Sequence, residues 1–142
     1  MTLTLTLARQ IVDVALAKST ELKLKPLAIA VLDARGCLTA FAAQDGTSLL
    51  RADVARSKAY GALALGIGSR AIFKRAQEQA FFVDAVNSLA DGKIIPVPGG
   101  VLIRDGAGML IGAVGISGDT SDNDEICAVA GIHAVNLTAD VG

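Results

Sequence analysis

The sequence predicts an α+β sandwich: helices packed on one mainly antiparallel sheet. Three observations predict it. Apolar segments follow the order helix, two strands, helices, three strands, helix. Turn signals at Asp33-Ala34-Arg35-Gly36 and Asp105-Gly106-Ala107-Gly108 each join two strands as a hairpin. Eight of the fifteen glycines fall between Gly92 and Gly118, beside β-branched runs, a pattern of tight turns and close backbone approach rather than disorder. At 142 residues the chain suits one domain spanning residues 1–142.

The elements follow in order. From Thr4 to Lys25, with a start near Thr4 or Thr6, Leu7, Ile11, Val14 and Ala15 share one helical face, and Pro26 marks the end. The apolar run Leu27 to Asp33 suits a buried strand, and Cys37 to Ala43 returns as its hairpin partner before Asp45-Gly46. Thr47 or Ser48 caps a helix carrying Leu50, Val54 and Gly61 or Leu65. Gly66-Ile67-Gly68 interrupts it, Ser69 caps a second helix exposing Arg70, Lys74 and Arg75, and a third covers Phe81 to Leu89. Ile94 to Val97, Gly100 to Arg104 and Met109 to Ser117 supply the three later strands. A closing helix starts at Thr120 or Ser121 with Ile126, Val129, Ala130, His133 and Leu137 as its apolar stripe.

Composition bounds the function. An apolar fraction of 52% with 19% charged residues is high for a soluble monomer, so a homo-oligomer covering part of that surface is expected. A net charge of −1 argues against a nucleic-acid partner, and no apolar run spans a bilayer, which argues against a membrane one. The N-terminal MTLTLTLARQ lacks the pattern of a secretory signal, which makes a cytoplasmic location the expectation. Cys37 and Cys127 have no CxxC partner and are expected as two reduced, structural thiols.

Charge is unevenly placed. Arg51, Arg56, Lys58, Arg70, Lys74 and Arg75 face the single acid Asp53 between Arg51 and Arg75, whereas Asp119, Asp122, Asp124 and Glu125 stand without a base. Either the two runs are solvated helix faces, or they meet as a bipolar site whose basic side holds a carboxylate. Gly99-Gly100 and Ser117-Gly118 are either structural turns or backbone brought close to a ligand. No phosphate loop is present, and the acids after Gly118 repel phosphate. His133 is the one histidine, which rules out a multi-histidine metal site. It is either a hydrogen-bonded core or interface residue or an axial haem ligand, with Tyr60 and Cys127 as weaker candidates. Without CxxCH, any haem is bound non-covalently.

On these residues the chain resembles the GlcG/HbpS family of haem-binding-protein-like domains, which are related to the C-terminal domain of PduO-type corrinoid adenosyltransferases. The resemblance runs through KPLAIAVLDARG, Ser57-Lys58-Ala59, Pro98-Gly99-Gly100 and, above all, IGAVGISGDTSDNDEICAVAG from Ile111 to Gly131. It implies a profilin-like α/β/α sandwich around about five strands, a homo-oligomer from dimers upward, and haem or a related tetrapyrrole as ligand in some members. Residues matching the family's motif are Lys58, Pro98, Gly99, Gly100, Ser117, Gly118, Asp124 and Glu125. The ExxE pattern of some secreted, iron-binding relatives is absent.

Two functions follow as expectations. The first is a small-molecule-binding protein for haem or another anionic, partly apolar ligand. In it Arg51 and Lys58 pair with carboxylates, Pro98, Gly99, Gly100, Ser117 and Gly118 line the pocket, and His133 serves as axial ligand. The second is a cofactor-independent isomerase, hydratase or decarboxylase acting on a small carboxylated catabolic intermediate, since relatives resemble accessory proteins of catabolism. There Asp124 or Glu125 is the general base and Lys58 or Arg51 steadies an enolate or oxyanion. A purely structural partner of a larger enzyme is a third possibility.

Overall fold

The computed structural model describes residues 1–142. Five strands form one antiparallel sheet in the order β2-β1-β4-β3-β5, with β1 Ala28–Asp33, β2 Leu38–Ala43, β3 Gly100–Arg104, β4 Leu110–Ser117 and β5 Thr138–Asp140. Helices α1 (Leu5–Glu21) and α5 (Ser121–Ala134) pack together on one face, and α2 (Arg51–Leu65) packs on the other. Helices α3 (Ser69–Glu78) and α4 (Ala80–Leu89) extend the α2 layer. The result is an α/β/α sandwich, as the sequence and its resemblance led us to expect.

Alternation along the strands builds both layers. Leu27, Ile29, Val31, Val101, Ile103, Val114 and Ile116 point into the larger core with Ile11, Val12, Cys127 and Ile132. The opposite sides of the same strands present Ala28, Ala30, Leu32, Leu102 and Ala113 to Ala55, Ala59 and Ala62 of α2. Small residues dominate that second face, so α2 lies very close to the sheet. No helix is long and apolar enough to cross a membrane.

Several expectations are corrected. Ile94 to Val97 forms no strand: Pro96 and Pro98 have no N–H to give a ladder, and the Ile94 N–H donates instead to Asn87 Oδ1 at 2.9 Å. The fifth strand is β5, too short for its alternation to show. It pairs with β3 and is held by Arg104 Nε donating to Asp140 Oδ2 at 2.9 Å. The N-cap of α2 is Leu50 rather than Thr47 or Ser48, and the N-cap of α3 is Gly68 rather than Ser69. The caps of α1 by Thr4 and α5 by Thr120 match the sequence: each hydroxyl accepts a backbone N–H three residues on, at 3.2 Å.

The apolar stripe of α5 is also corrected. Its buried face is Asp124, Cys127, Ala128, Gly131 and Ile132, whereas Ile126 is 45% exposed and His133 is exposed. Close packing against α1 decides this. A Cβ on Gly131 would lie 2.6 Å from the Ile11 carbonyl oxygen, so only the face carrying Gly131 and Ala128 fits there. Cys127 is buried, which pushes its thiol up to about 11, while Cys37 is exposed; both are free.

Candidate functional site

Arg51, Lys58, Gly99, Gly100, Ser117 and Asp124 converge where β4 ends and β3 begins. Glycine makes this possible. A Cβ on Gly100 would sit 2.2 Å from the Lys58 carbonyl oxygen, and the Gly100 N–H donates to Ser69 Oγ at 2.7 Å. Gly99 has φ +117°, and a Cβ there would meet both Lys58 Nζ and the Ile116 carbonyl oxygen at 2.9 Å. The α2 helix is thus pressed onto the strand ends, and the Lys58 side chain runs under the Pro98-Gly99-Gly100 turn toward α5.

Lys58 is 2% exposed and Asp124 1%. Lys58 Nζ donates to the Ile116 carbonyl at 2.9 Å and to Asp124 Oδ2 at 3.2 Å, while Asp124 Oδ1 accepts the Asp119 N–H at 3.0 Å. Burial pushes the Lys58 ammonium below its usual range, opposed by the Asp124 charge and aided by Arg51. Burial likewise raises the Asp124 carboxyl, opposed by Lys58. The pair joins the two helical layers around the end of the sheet. Its charges are costly to bury and are held by mutual bonds rather than by solvent.

The basic and acidic runs meet, as a bipolar site requires, through two of the six bases, Lys58 on Asp124 and Arg70 on Asp122 and Glu125. Arg70 Nε donates to Glu125 Oε2 at 3.0 Å, and its Nη2 reaches Asp122. Arg51 Nη1 donates to Ser117 Oγ at 3.0 Å and has no carboxylate partner. Lys58, Asp124 and Glu125, expected to act on a substrate, are therefore engaged with one another and with Arg70. The turns expected to line a pocket are closed as well. Gly99 and Gly100 abut Lys58, Ser117 is fully buried, and a Cβ on Gly118 would lie 2.1 Å from the Pro26 carbonyl oxygen. Pro98 is buried in the same packing. Sequence reasoning missed Ser69 and the pairing role of Arg70; their only signal was position just after the Gly66-Ile67-Gly68 break.

Just before α5, Asp119 organises the turn. Its carboxylate accepts Lys25 N–H at 3.0 Å, Thr120 N–H at 2.8 Å and Asn123 Nδ2 at 2.8 Å. These bonds, that from Asn123 foremost, hold its pKa near 2, below the ordinary 3.8. A lowered carboxylate pKa stabilises the fold above the unfolded value and is lost as pH falls through the folded one. Asp119→Asn is expected to lower the thermal midpoint at pH 7, with wild type and variant converging as pH falls from about 4 to about 2. Circular-dichroism melts across that range check this; an unchanged gap at acid pH counts against it.

His133 lies apart from this cluster, in the last turn of α5 and nine residues beyond Asp124, about 13 Å along the axis. With Ile126, Val129 and Ala130 it forms an outward strip at offsets 0, 3, 4 and 7. Of the stripe expected from the sequence, Ile126 and His133 are exposed, Val129 and Ala130 are half-buried, and Leu137 is buried in the core. An imidazole flanked by partly exposed apolar side chains fits what a non-covalently held haem needs of its axial donor.

Comparison with known proteins places these features in context. A family model described as haem-degrading protein HbpS-like matches residues 3–133. The corrinoid adenosyltransferases PduO of Citrobacter freundii and of Salmonella typhimurium are each 29% identical over 129 residues, 90% of this chain. The chain spans only 37% of the length of either. Among solved structures, the haem complex of PduOC is similar with a TM-score of 0.88 and 25% identity, covering 97% of this chain and 98% of that one. Klebsiella pneumoniae protein ORFY gives 0.85 and 25% identity, over 96% of this chain and 92% of that one. Streptomyces reticuli HbpS, as a double mutant, gives 0.80 and 22%, over 95% and 88%, a likeness of fold alone.

Proposed function

Because the chain belongs to the family of haem-degrading HbpS-like proteins, we propose that it is a small haem-binding protein. One observation carries this: the haem complex of PduOC matches it over nearly the whole of both chains at a TM-score of 0.88. His133, with Ile126, Val129 and Ala130 beside it on the outer face of α5, would hold haem or a related tetrapyrrole there. Bound iron would bring ligand-exchange and redox chemistry; the protein's part is to present the imidazole and shield one face of the ring. Lys58 is 2% exposed with its ammonium on Ile116 and Asp124, and Arg51, bonded only to the Ser117 hydroxyl, belongs to that same cluster rather than to the α5 face that carries His133.

The rival enzyme is not favoured, since Lys58 and Asp124 already pair with each other and Glu125 with Arg70. A homo-oligomer is part of the proposal: edge strand β2 exposes Leu38 and Phe41, and the α5 strip leaves Ile126 half-exposed. So is a cytoplasmic setting, which the two free thiols support.

Hemin titration followed at the Soret band is expected to saturate at a defined haem-to-protomer ratio with a band shifted from free hemin. A featureless rise without saturation contradicts the proposal.

A further inference from the structure

A cleft of about 350 Å³ opens on the outer side of α2, away from the Lys58 cluster and from α5. Its wall is built from Asp53, Arg56, Ser57 and Tyr60, offsets of 0, 3, 4 and 7 along one face of α2, with the opposite face of the helix against the sheet. Gly36 of the β1–β2 turn and Lys93 from the segment between α4 and β3 close it. Its volume falls in the range of small-molecule sites, roughly 300–1,000 Å³.

The cleft brings together two cations that no carboxylate of this chain holds. Arg35, Lys58, Arg70 and Arg104 all pair with carboxylates of this chain. Arg56 and Lys93 pair with none, although Asp53 lies in the same cleft; Lys93 instead places its ammonium 5.7 Å from the centre of the Tyr60 ring. The hydroxyls of Ser57 and Tyr60 accept and donate nothing within the chain, and no buried polar atom lacks a partner, so both reach solvent. Five polar side chains, Asp53 included, therefore surround one cavity with no hydrogen-bond partner in the chain.

We propose that this cleft binds a small hydroxylated monocarboxylate. Two cations against one carboxylate leave a single net positive charge, which matches a monoanion better than a phosphate dianion. Arg56 offers a planar fork for the carboxylate and Lys93 a point charge beside it. Asp53 accepts a hydroxyl of the ligand, and the hydroxyls of Ser57 and Tyr60 complete the contacts. Only the Tyr60 ring is apolar in this lining, so the ligand's body carries hydroxyls rather than hydrocarbon. The same polarity makes the cleft a poor seat for a tetrapyrrole, and the inference stands independently of the haem proposal.

Tyr60 is the sole tyrosine and the chain has no tryptophan, so intrinsic fluorescence reports on this cleft alone. With ionic strength held constant by chloride, gluconate is expected to change that fluorescence saturably. Arg56→Gln, an exposed substitution, weakens the apparent affinity about tenfold, the loss of one charge-assisted bond. Sorbitol, which lacks the carboxylate, gives no saturable change, and hexanoate, which lacks the hydroxyls, binds more weakly. A non-saturating response to gluconate overturns the proposal, as does an Arg56→Gln titration identical to wild type. Hexanoate or inorganic phosphate binding as tightly as gluconate overturns the assignment of ligand class.

Discussion

Lys58→Ala is expected to destabilise the protein by about 3–5 kcal/mol at neutral pH, as removal of one partner from a buried ion pair does. The substitution strips Asp124, 1% exposed, of its counter-charge and leaves only the Asp119 N–H to hold it. It also leaves the Ile116 carbonyl without the Lys58 donor. Lys58→Met combined with Asp124→Leu removes both charges and keeps the volume filled, so the double variant is expected to be more stable than either single charge deletion. The sign of the pH dependence follows. Burial already raises the Asp124 carboxyl, and loss of Lys58 raises it further. A carboxyl whose folded pKa exceeds its unfolded one costs stability as pH rises through that window. The Lys58→Ala deficit is therefore largest near pH 7 and shrinks as pH falls toward about 4. Urea unfolding at both pH values measures it; a loss under about 1 kcal/mol, the same at both, would show a solvated pair of little worth.

Gly115→Ala is the second large effect. A Cβ there would stand 1.8 Å from the Ala55 carbonyl oxygen and 2.8 Å from the Ala59 nitrogen, and both are backbone atoms in the middle of α2. No rotamer relieves that clash. The helix must lift from the sheet, separating Ala55, Ala59 and Ala62 from Ala28, Ala30 and Ala113, a face made of small side chains that fill no gap. Overpacking typically costs about 1–3 kcal/mol, and here about 3 kcal/mol or more is expected because no side chain can yield. Gly106→Ala in the β3–β4 turn, with nothing within 4 Å of a Cβ, is the control and is expected to change stability by less than about 0.5 kcal/mol. Comparable denaturation midpoints for the two variants would contradict the close packing of α2.

Much of the fold was legible because apolar periodicity and turn chemistry agreed. Thr4 and Thr120 cap, each one of the two starts the sequence offers, and Asp33-Ala34-Arg35-Gly36 turns as its residues require. The exceptions have physical causes. Strand pairing of Thr138–Asp140 is set by an ion pair with Arg104 and by a partner 36 residues upstream, neither visible in a three-residue window. The α5 stripe pointed the wrong way because hydrophobicity ranks Ile126 and Val129 above Ala128 and Gly131. Packing against α1 rewards the smaller pair instead.

The candidate site was legible in membership but not in state. Lys58, Gly99, Gly100, Ser117 and Asp124 do converge, yet charge patterning alone cannot tell an open bipolar site from one whose charges are mutually spent. That distinction depends on burial and on Arg70, which sits one residue beyond the serine expected as a cap. The cleft on α2 escaped notice because Asp53, Arg56, Ser57 and Tyr60 have the ordinary composition of a solvated helix face. Lys93 and Gly36 become part of it only in three dimensions.

The proposed haem site on the outer face of α5 depends on His133. Its most direct measurement is the hemin affinity and Soret spectrum of His133→Ala beside wild type. His133 is exposed and in the last turn of the helix, so its loss leaves the fold intact. An altered Soret maximum and binding weakened at least about tenfold, the loss of one coordinate bond, are expected. Identical spectra and affinities for the two proteins would contradict it.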